Sequence, residues 1–311
     1  MALDDATTAF LSQMAASGAK PLHEMTPEEA RGLGQLLRDM YGAGPEMKQV
    51  RDVRVPVDGG DIAVRVLTPT ESPRGVLVYY HGGGWVIGAI DEFDTLGRIL
   101  AERTGLTTLL VDYRLAPEHR YPTAVDDSWA ALLWAAENRT ELAPSGGPLV
   151  IAGDSAGGNI SAVLAQRAKA AGGPAIDLQV LVYPVTDADF DNETYTDPEN
   201  QLMLTRDSMI WFWDHYAPDP AVRAEPDASP IKAADLAGLP PAVVLTAEHD
   251  VLRDEGEAYA RRLAWAGVPV QHRRFDGQMH GFFTMVNVLP GSAAGIDHVV
   301  AAIDELFATR A

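Results

Sequence analysis

The run VIAGDSAGGNISAVLAQRAKA, Val150–Ala170, puts a serine between an apolar, strand-like stretch and a good helix-forming stretch. Gly153, Ser155 and Gly157 give it the form GxSxG. Glycines on either side allow a sharp strand-to-helix turn that holds the middle serine in a strained conformation, where larger neighbours collide. With glycine supplying 28 of 311 residues, the pattern alone is a weak signal. Its placement strengthens it, because Ser155 falls at a helix N-terminus, where the dipole favours a negatively charged oxygen. A phosphate-binding turn is the competing interpretation, but GDSAGG lacks the lysine of a P-loop and the spacing of a dinucleotide fingerprint.

Upstream, VYYHGGGWVIG, Val78–Gly88, follows a buried apolar run with a histidine, three glycines and a tryptophan. Glycine is costly to order, so three together suggest that the bare main chain is needed there. Attack by a serine on an acyl carbon creates an oxyanion, and donors fixed where that charge develops give a large gain. Gly83 and Gly84 are therefore expected to offer N–H groups, joined by the amide of Ala156, the residue after the serine. An ordinary glycine-rich loop is the bland alternative. His81 is expected to be a structural hydrogen-bonding residue.

A serine hydroxyl needs a histidine to take its proton, and that histidine needs a carboxylate to fix its tautomer. Of eight histidines, His280 in DGQMHGFF follows the last expected strand, at the carboxyl end where ligand-binding loops gather in an open parallel sheet. His272 falls within that strand and His298 in the terminal helix. His119 and His249 also fall in loops, so position favours His280 without deciding it. Asp250, ending the strand-like run of VVLTAEHDVLRDEG, is the expected acid. Asp254 and Glu255 suit the first turn of the next helix, and Asp154 is expected to hold the serine turn.

Elsewhere the chain alternates strand and helix patterns. RVPV, IAVRVLTP, GVLVYY, TTLLVDY, PLVIAG, LQVLVYP, PAVVLTA and VQHRRF read as strands, separated by helical segments such as TAVDDSWAALLWAAENR and RDEGEAYARRLAWAG. That alternation predicts a single α/β domain, its sheet mostly parallel with an antiparallel start and helices on both faces. About sixty residues separate Val182 from Ala242, far more than an ordinary connection needs. We expect a helical cap from about 1–50 and about 185–235. In the first, Thr26, Pro27 and Glu29 have the pattern of a capping box. The second carries MLTRDSMIWFWDHYA, whose Trp211, Phe212, Trp213 and Tyr216 either pack the insert onto the domain or line a pocket.

Composition removes several classes of function. The chain has no cysteine, so disulfides, thiolate metal sites and a thiol nucleophile are excluded. Forty-four acidic against twenty-four basic residues give a net charge of -20, which disfavours nucleic acid and anionic membranes as partners. No apolar stretch reaches a membrane span. Two early aspartates in MALDDATTAF stand where a secretory signal carries lysine or arginine, so a cytoplasmic protein is expected.

HGGGW, VDYRLAPEHRYP, GDSAGGN, Tyr183–Pro184, DVLRDEG and HGF occur in an order and spacing that resemble the hormone-sensitive lipase family of α/β-hydrolases, in its bacterial esterase branch. The order serine, aspartate, histidine agrees. The resemblance covers nearly the whole chain. It implies an eight-stranded α/β-hydrolase fold with a helical cap, Ser155 with Asp250 and His280, and Gly83, Gly84 and Ala156 as oxyanion donors. It also implies small esters with short or medium acyl chains as substrates and a possible homodimer through a sheet edge; a serine acyl-enzyme mechanism needs no metal or organic cofactor. Trp85, where many relatives have phenylalanine, is a candidate substrate contact together with Tyr183, Trp211 and Phe212. DYRLAPEH is expected to be loop scaffolding. Hydrolysis of lactones, carbamates or activated amides is an alternative, as is a non-catalytic small-molecule receptor, which the presence of His280 disfavours.

Overall fold

The two middle strands have no polar face, because helices cover them on both sides. VLVYY and LVIAGD are buried at every position, the pattern of a parallel sheet core. The computed structural model describes residues 2–18 and 20–308, without the side chains of residues 35–37. Its strands are β1 (Gln49–Val57), β2 (Gly60–Thr68), β3 (Val76–Tyr80), β4 (Thr107–Asp112), β5 (Leu149–Asp154), β6 (Leu178–Val182), β7 (Ala242–His249) and β8 (Val270–Met279). They form one sheet in the order β1-β2-β4-β3-β5-β6-β7-β8. β1, β2 and β4 pair antiparallel, and from β4 to β8 every pairing is parallel. The antiparallel start follows from a two-residue turn at Asp58–Gly59, where Gly59 has φ 77°, as tight hairpins require.

Among the described residues the helices are α1 (Asp5–Ala16), α2 (Pro27–Tyr41), α3 (Asp94–Thr104), α4 (Thr123–Glu137), α5 (Arg139–Leu142), α6 (Ala156–Ala171), α7 (Glu193–Thr196), α8 (Arg206–Tyr216), α9 (Pro220–Arg223), α10 (Arg253–Trp265) and α11 (Pro290–Ala308). Two apolar cores lie one on each side of the sheet. Ile160, Val163 and Leu164 of α6 and Leu263 of α10 belong to one, and Leu96 of α3 with Val299 and Ile303 of α11 to the other.

The expected capping box is present. The Thr26 amide donates to Glu29 Oε2 at 2.8 Å, and the Glu29 amide donates to Thr26 Oγ1 at 3.2 Å. α1 lies against β8, where the Asp4 amide donates to the Gly277 carbonyl at 3.1 Å and Phe10 is buried. The long insert between β6 and β7 contains α7, α8 and α9. Phe212, Trp213 and Tyr216 of α8 are buried, and Tyr216 stacks on Trp85 at 4.0 Å with planes 9° apart. Most of the insert's aromatic surface therefore fastens it to the main domain.

Candidate active site

Ser155 sits at the carboxyl end of β5 with φ 54° and ψ -117°, a region that a residue with a side chain enters only under constraint. The constraint is close approach. A Cβ on Gly157 would lie 1.9 Å from the Tyr80 carbonyl, and one on Gly153 would lie 2.3 Å from the Gly157 backbone. α6 can therefore pack against the ends of β3 and β5 only with hydrogen at both positions. The Ser155 amide donates to the Val182 carbonyl at 2.9 Å, and the buried Asn159 side chain donates to the Val185 and Ala228 carbonyls. These bonds fix the turn against β6 and the insert.

Strand register brings the other two groups together. His249 pairs with Met279 across β7 and β8, after an irregularity that follows the Ala247–Phe275 pair. The next residue on each strand is Asp250 or His280, so both leave the sheet side by side. His280 Nδ1 lies 2.8 Å from Asp250 Oδ2, and His280 Nε2 lies 3.1 Å from Ser155 Oγ. Asp250 is fully buried and accepts the Leu252 amide at 2.9 Å, which leaves its second oxygen for the imidazole. The order hydroxyl, imidazole, carboxylate can move a proton off the hydroxyl and hold the resulting imidazolium.

Beside the serine, Gly83 and Gly84 have φ 103° and 56°. The Gly83 carbonyl accepts the Val86 and Ile87 amides. Among the described residues nothing accepts the amide hydrogens of Gly83 or Gly84. Ala156 opens α6, where an amide has no acceptor within the helix. Space is short here too, since a Cβ on Gly84 would lie 2.2 Å from the Phe212 ring.

His81 takes no part in the chain of three. Its ring stacks between Tyr113 at 4.3 Å and Phe93 at 5.2 Å, and burial lowers its pKa. The DYRLAPEH motif supports this loop. Tyr113 Oη donates to the His81 carbonyl at 2.8 Å, the Ala116 amide donates to the Trp85 carbonyl at 2.8 Å, and Arg114 pairs with buried Asp127.

Asp154 departs from its expected task. Instead of holding the serine turn, its Oδ1 accepts Tyr79 Oη at 2.8 Å and the Gly82 amide at 2.9 Å, tying the glycine loop to β5. Burial pushes its carboxyl up to about 6 from 3.8, against the lowering effect of those two donors. The native carboxyl thus keeps its proton to higher pH than the unfolded one, so stability falls as pH rises from about 4 to about 6. The loss is on the order of 3 kcal/mol. Asp154→Asn is expected to gain on the parent in thermal midpoint across that window, measured by melting at constant ionic strength. A difference that stays constant from pH 4 to 7 counts against a buried ionised carboxylate.

The four expected substrate contacts divide. Trp85 is fully buried against Tyr216 and Trp213, and Tyr183 is buried with its ring 4.5 Å from that of His280. Both are placed as packing residues, Tyr183 in an unusual backbone conformation of φ 33°. Phe212 reaches the glycine loop, with half-buried Trp211 next to it at 5.2 Å. Met203 and Met285, which the motifs did not single out, approach Gly281 beside His280. Met203 falls in the long insert and Met285 in the connection from β8 to α11, and single unbranched apolar side chains in such connections leave no pattern that would have singled them out.

Residues 77–284 match the family described by the α/β hydrolase fold. The chain belongs to the α/β hydrolase family. Carboxylesterase NlhH of Mycobacterium tuberculosis is 42% identical over 265 residues, 83% of either chain. The ethyl acetate hydrolase of Pseudomonas putida is 35% identical over 92% of either chain. Among solved structures, a hyperthermophilic esterase from the archaeon Pyrobaculum calidifontis superposes with a TM-score of 0.91 at 36% identity, covering 98% of this chain and 99% of the other. These relatives fit the hormone-sensitive lipase-like branch expected from the motifs. No helix of the described residues is long and apolar enough to cross a membrane.

Proposed function

We propose that this α/β hydrolase is a carboxylic ester hydrolase that cleaves short- to medium-chain acyl esters through an acyl-enzyme. The observation that carries the reading is the unbroken contact from Ser155 Oγ through His280 to Asp250, 3.1 Å and 2.8 Å long, beside a loop of free glycine amides. Ser155 Oγ attacks the carbonyl carbon while its proton passes to His280 Nε2. The amides of Gly83, Gly84 and Ala156 take the oxyanion. Asp250 stabilises the imidazolium, which then protonates the leaving alcohol. Water, deprotonated by the same imidazole, releases the acid and restores the hydroxyl. The chain's own groups suffice for every step.

Phe212 and Trp211 serve in this reading as one wall of the acyl or alcohol site, and segments of about 1–50 and about 185–235 as its cap. Names of the relatives, carboxylesterase and ethyl acetate hydrolase, support the substrate class. A cytoplasmic setting suits a cysteine-free chain. A homodimer would use the open edge at β8, where residues 271–274 are exposed, and a mass near twice 33.4 kDa in solution checks it.

A series of p-nitrophenyl esters from acetate to palmitate tests the assignment. Turnover is expected to be greatest on the short and medium chains and to fall steeply by palmitate. No turnover on any ester, or a maximum at palmitate, contradicts it.

A further inference from the structure

We propose that Arg31, on helix α2, is a positioning residue for the glycine loop, an inference that rests on the oxyanion role given to that loop above. Its guanidinium binds three points on two segments. Nε donates to the Val86 carbonyl at 2.9 Å and Nη2 to the Ala116 carbonyl at 2.9 Å. Nη1 and Nη2 also grip both oxygens of Glu118, at 2.9 and 2.7 Å.

Those acceptors are the ones that decide where the loop lies. Val86 closes the turn that begins at Gly83, since its amide donates to the Gly83 carbonyl at 3.0 Å. Ala116 is bonded to Trp85 through its own amide at 2.8 Å. Arg31 therefore completes a ring that runs from Trp85 to Ala116, through the guanidinium and back to Val86. Residues 81–88 belong to no strand or helix, so bonds of this kind, rather than a ladder, fix their backbone.

The anchor is permanent across ordinary pH. Arg31 holds the Glu118 carboxyl down at about 2, chiefly through their hydrogen bonds. A planar fork satisfies three separated acceptors at once, which a lysine ammonium on a flexible stem does not. α2 is seated closely enough to act as the base of the anchor. Ala30 is fully buried, and a Cβ on Gly34 would lie 2.1 Å from Glu92 Oε2, only a few residues beyond the loop. Helix α2 is thus coupled to the amides of Gly83 and Gly84 by one side chain.

A residue that merely glued α2 to the domain would alter stability or KM. A positioning residue alters the chemical step. The test uses full-length Arg31→Ala, Arg31→Lys and Glu118→Gln, with steady-state kinetics on p-nitrophenyl butyrate and the rate of serine phosphonylation by a fluorophosphonate. Arg31→Ala is expected to lower kcat and the phosphonylation rate between about 10- and 100-fold, with KM little changed. Lysine recovers little of the loss, and added methylguanidinium recovers part of it in Arg31→Ala. Unchanged kcat and phosphonylation in a folded Arg31→Ala, or a loss confined to KM, overturns the proposal. Should Arg31→Ala fail to fold, Glu118→Gln decides: a smaller fall in kcat at constant KM supports the role, and parental kcat overturns it. A parent protein that does not react with the fluorophosphonate removes the hydrolase reading and this role together. A reactive parent with an equally reactive Arg31→Ala removes this role alone.

Discussion

Ser155→Ala is expected to reduce kcat on p-nitrophenyl butyrate at least about 10⁴-fold, with KM nearly unchanged. The substitution removes one oxygen from a nearly buried position and leaves the turn in place, because the bonds that shape it run through the Ser155 backbone to Val182, Asn159 and Val185. Any residual rate then comes from the glycine amides and from binding alone. Circular dichroism and the thermal midpoint should match those of the parent. A folded Ser155→Ala protein with activity within tenfold of the parent would mean that another group attacks the ester.

Asp250→Asn is expected to cost nearly as much, roughly 10³- to 10⁴-fold in kcat. The asparagine can still accept the Leu252 amide, so the geometry survives. What changes is the imidazole. With the asparagine NH₂ turned toward Nδ1, that nitrogen becomes the acceptor and the proton moves to Nε2, which can then no longer take the Ser155 proton. Removing a buried negative charge also withdraws the partner of the imidazolium. The measurement is kcat against pH for parent and variant. A variant that recovers parental turnover at any pH between 6 and 9 contradicts the tautomer argument.

Much of the site was legible in the sequence because its demands are local and steric. GDSAGG announces the turn since the approach of α6 to Tyr80 tolerates no side chain at Gly157, and HGGGW announces the loop for a similar reason. His280 and Asp250 were read from their places at strand ends. The cause of their meeting, the irregular pairing that sets His249 opposite Met279, has no signature in residue type. VQHRRF accordingly marked only the first part of β8, which runs on to Met279.

Other features are set by long-range contacts and stayed hidden. α3 has Phe93 before its first turn, which offers no side-chain cap, and carries Gly97 where a Cβ would lie 2.8 Å from Leu67, so its helical pattern is broken at the point where it packs. Asp154 is structural as expected, but what it holds was hidden, since its partners Tyr79 and Gly82 lie more than seventy positions away. Trp85 and Tyr183 carried family motifs, yet both are committed to packing. Arg31 had no motif at all, and only the fold places it against Val86 and Ala116.

The most direct measurement is a crystal structure of the protein after reaction with a fluorophosphonate. The account predicts a phosphorus–oxygen bond to Ser155 Oγ and a phosphonyl oxygen about 3 Å from the amides of Gly83, Gly84 and Ala156, with His280 still paired to Asp250. An adduct on another residue, or a phosphonyl oxygen turned away from those amides, would contradict it.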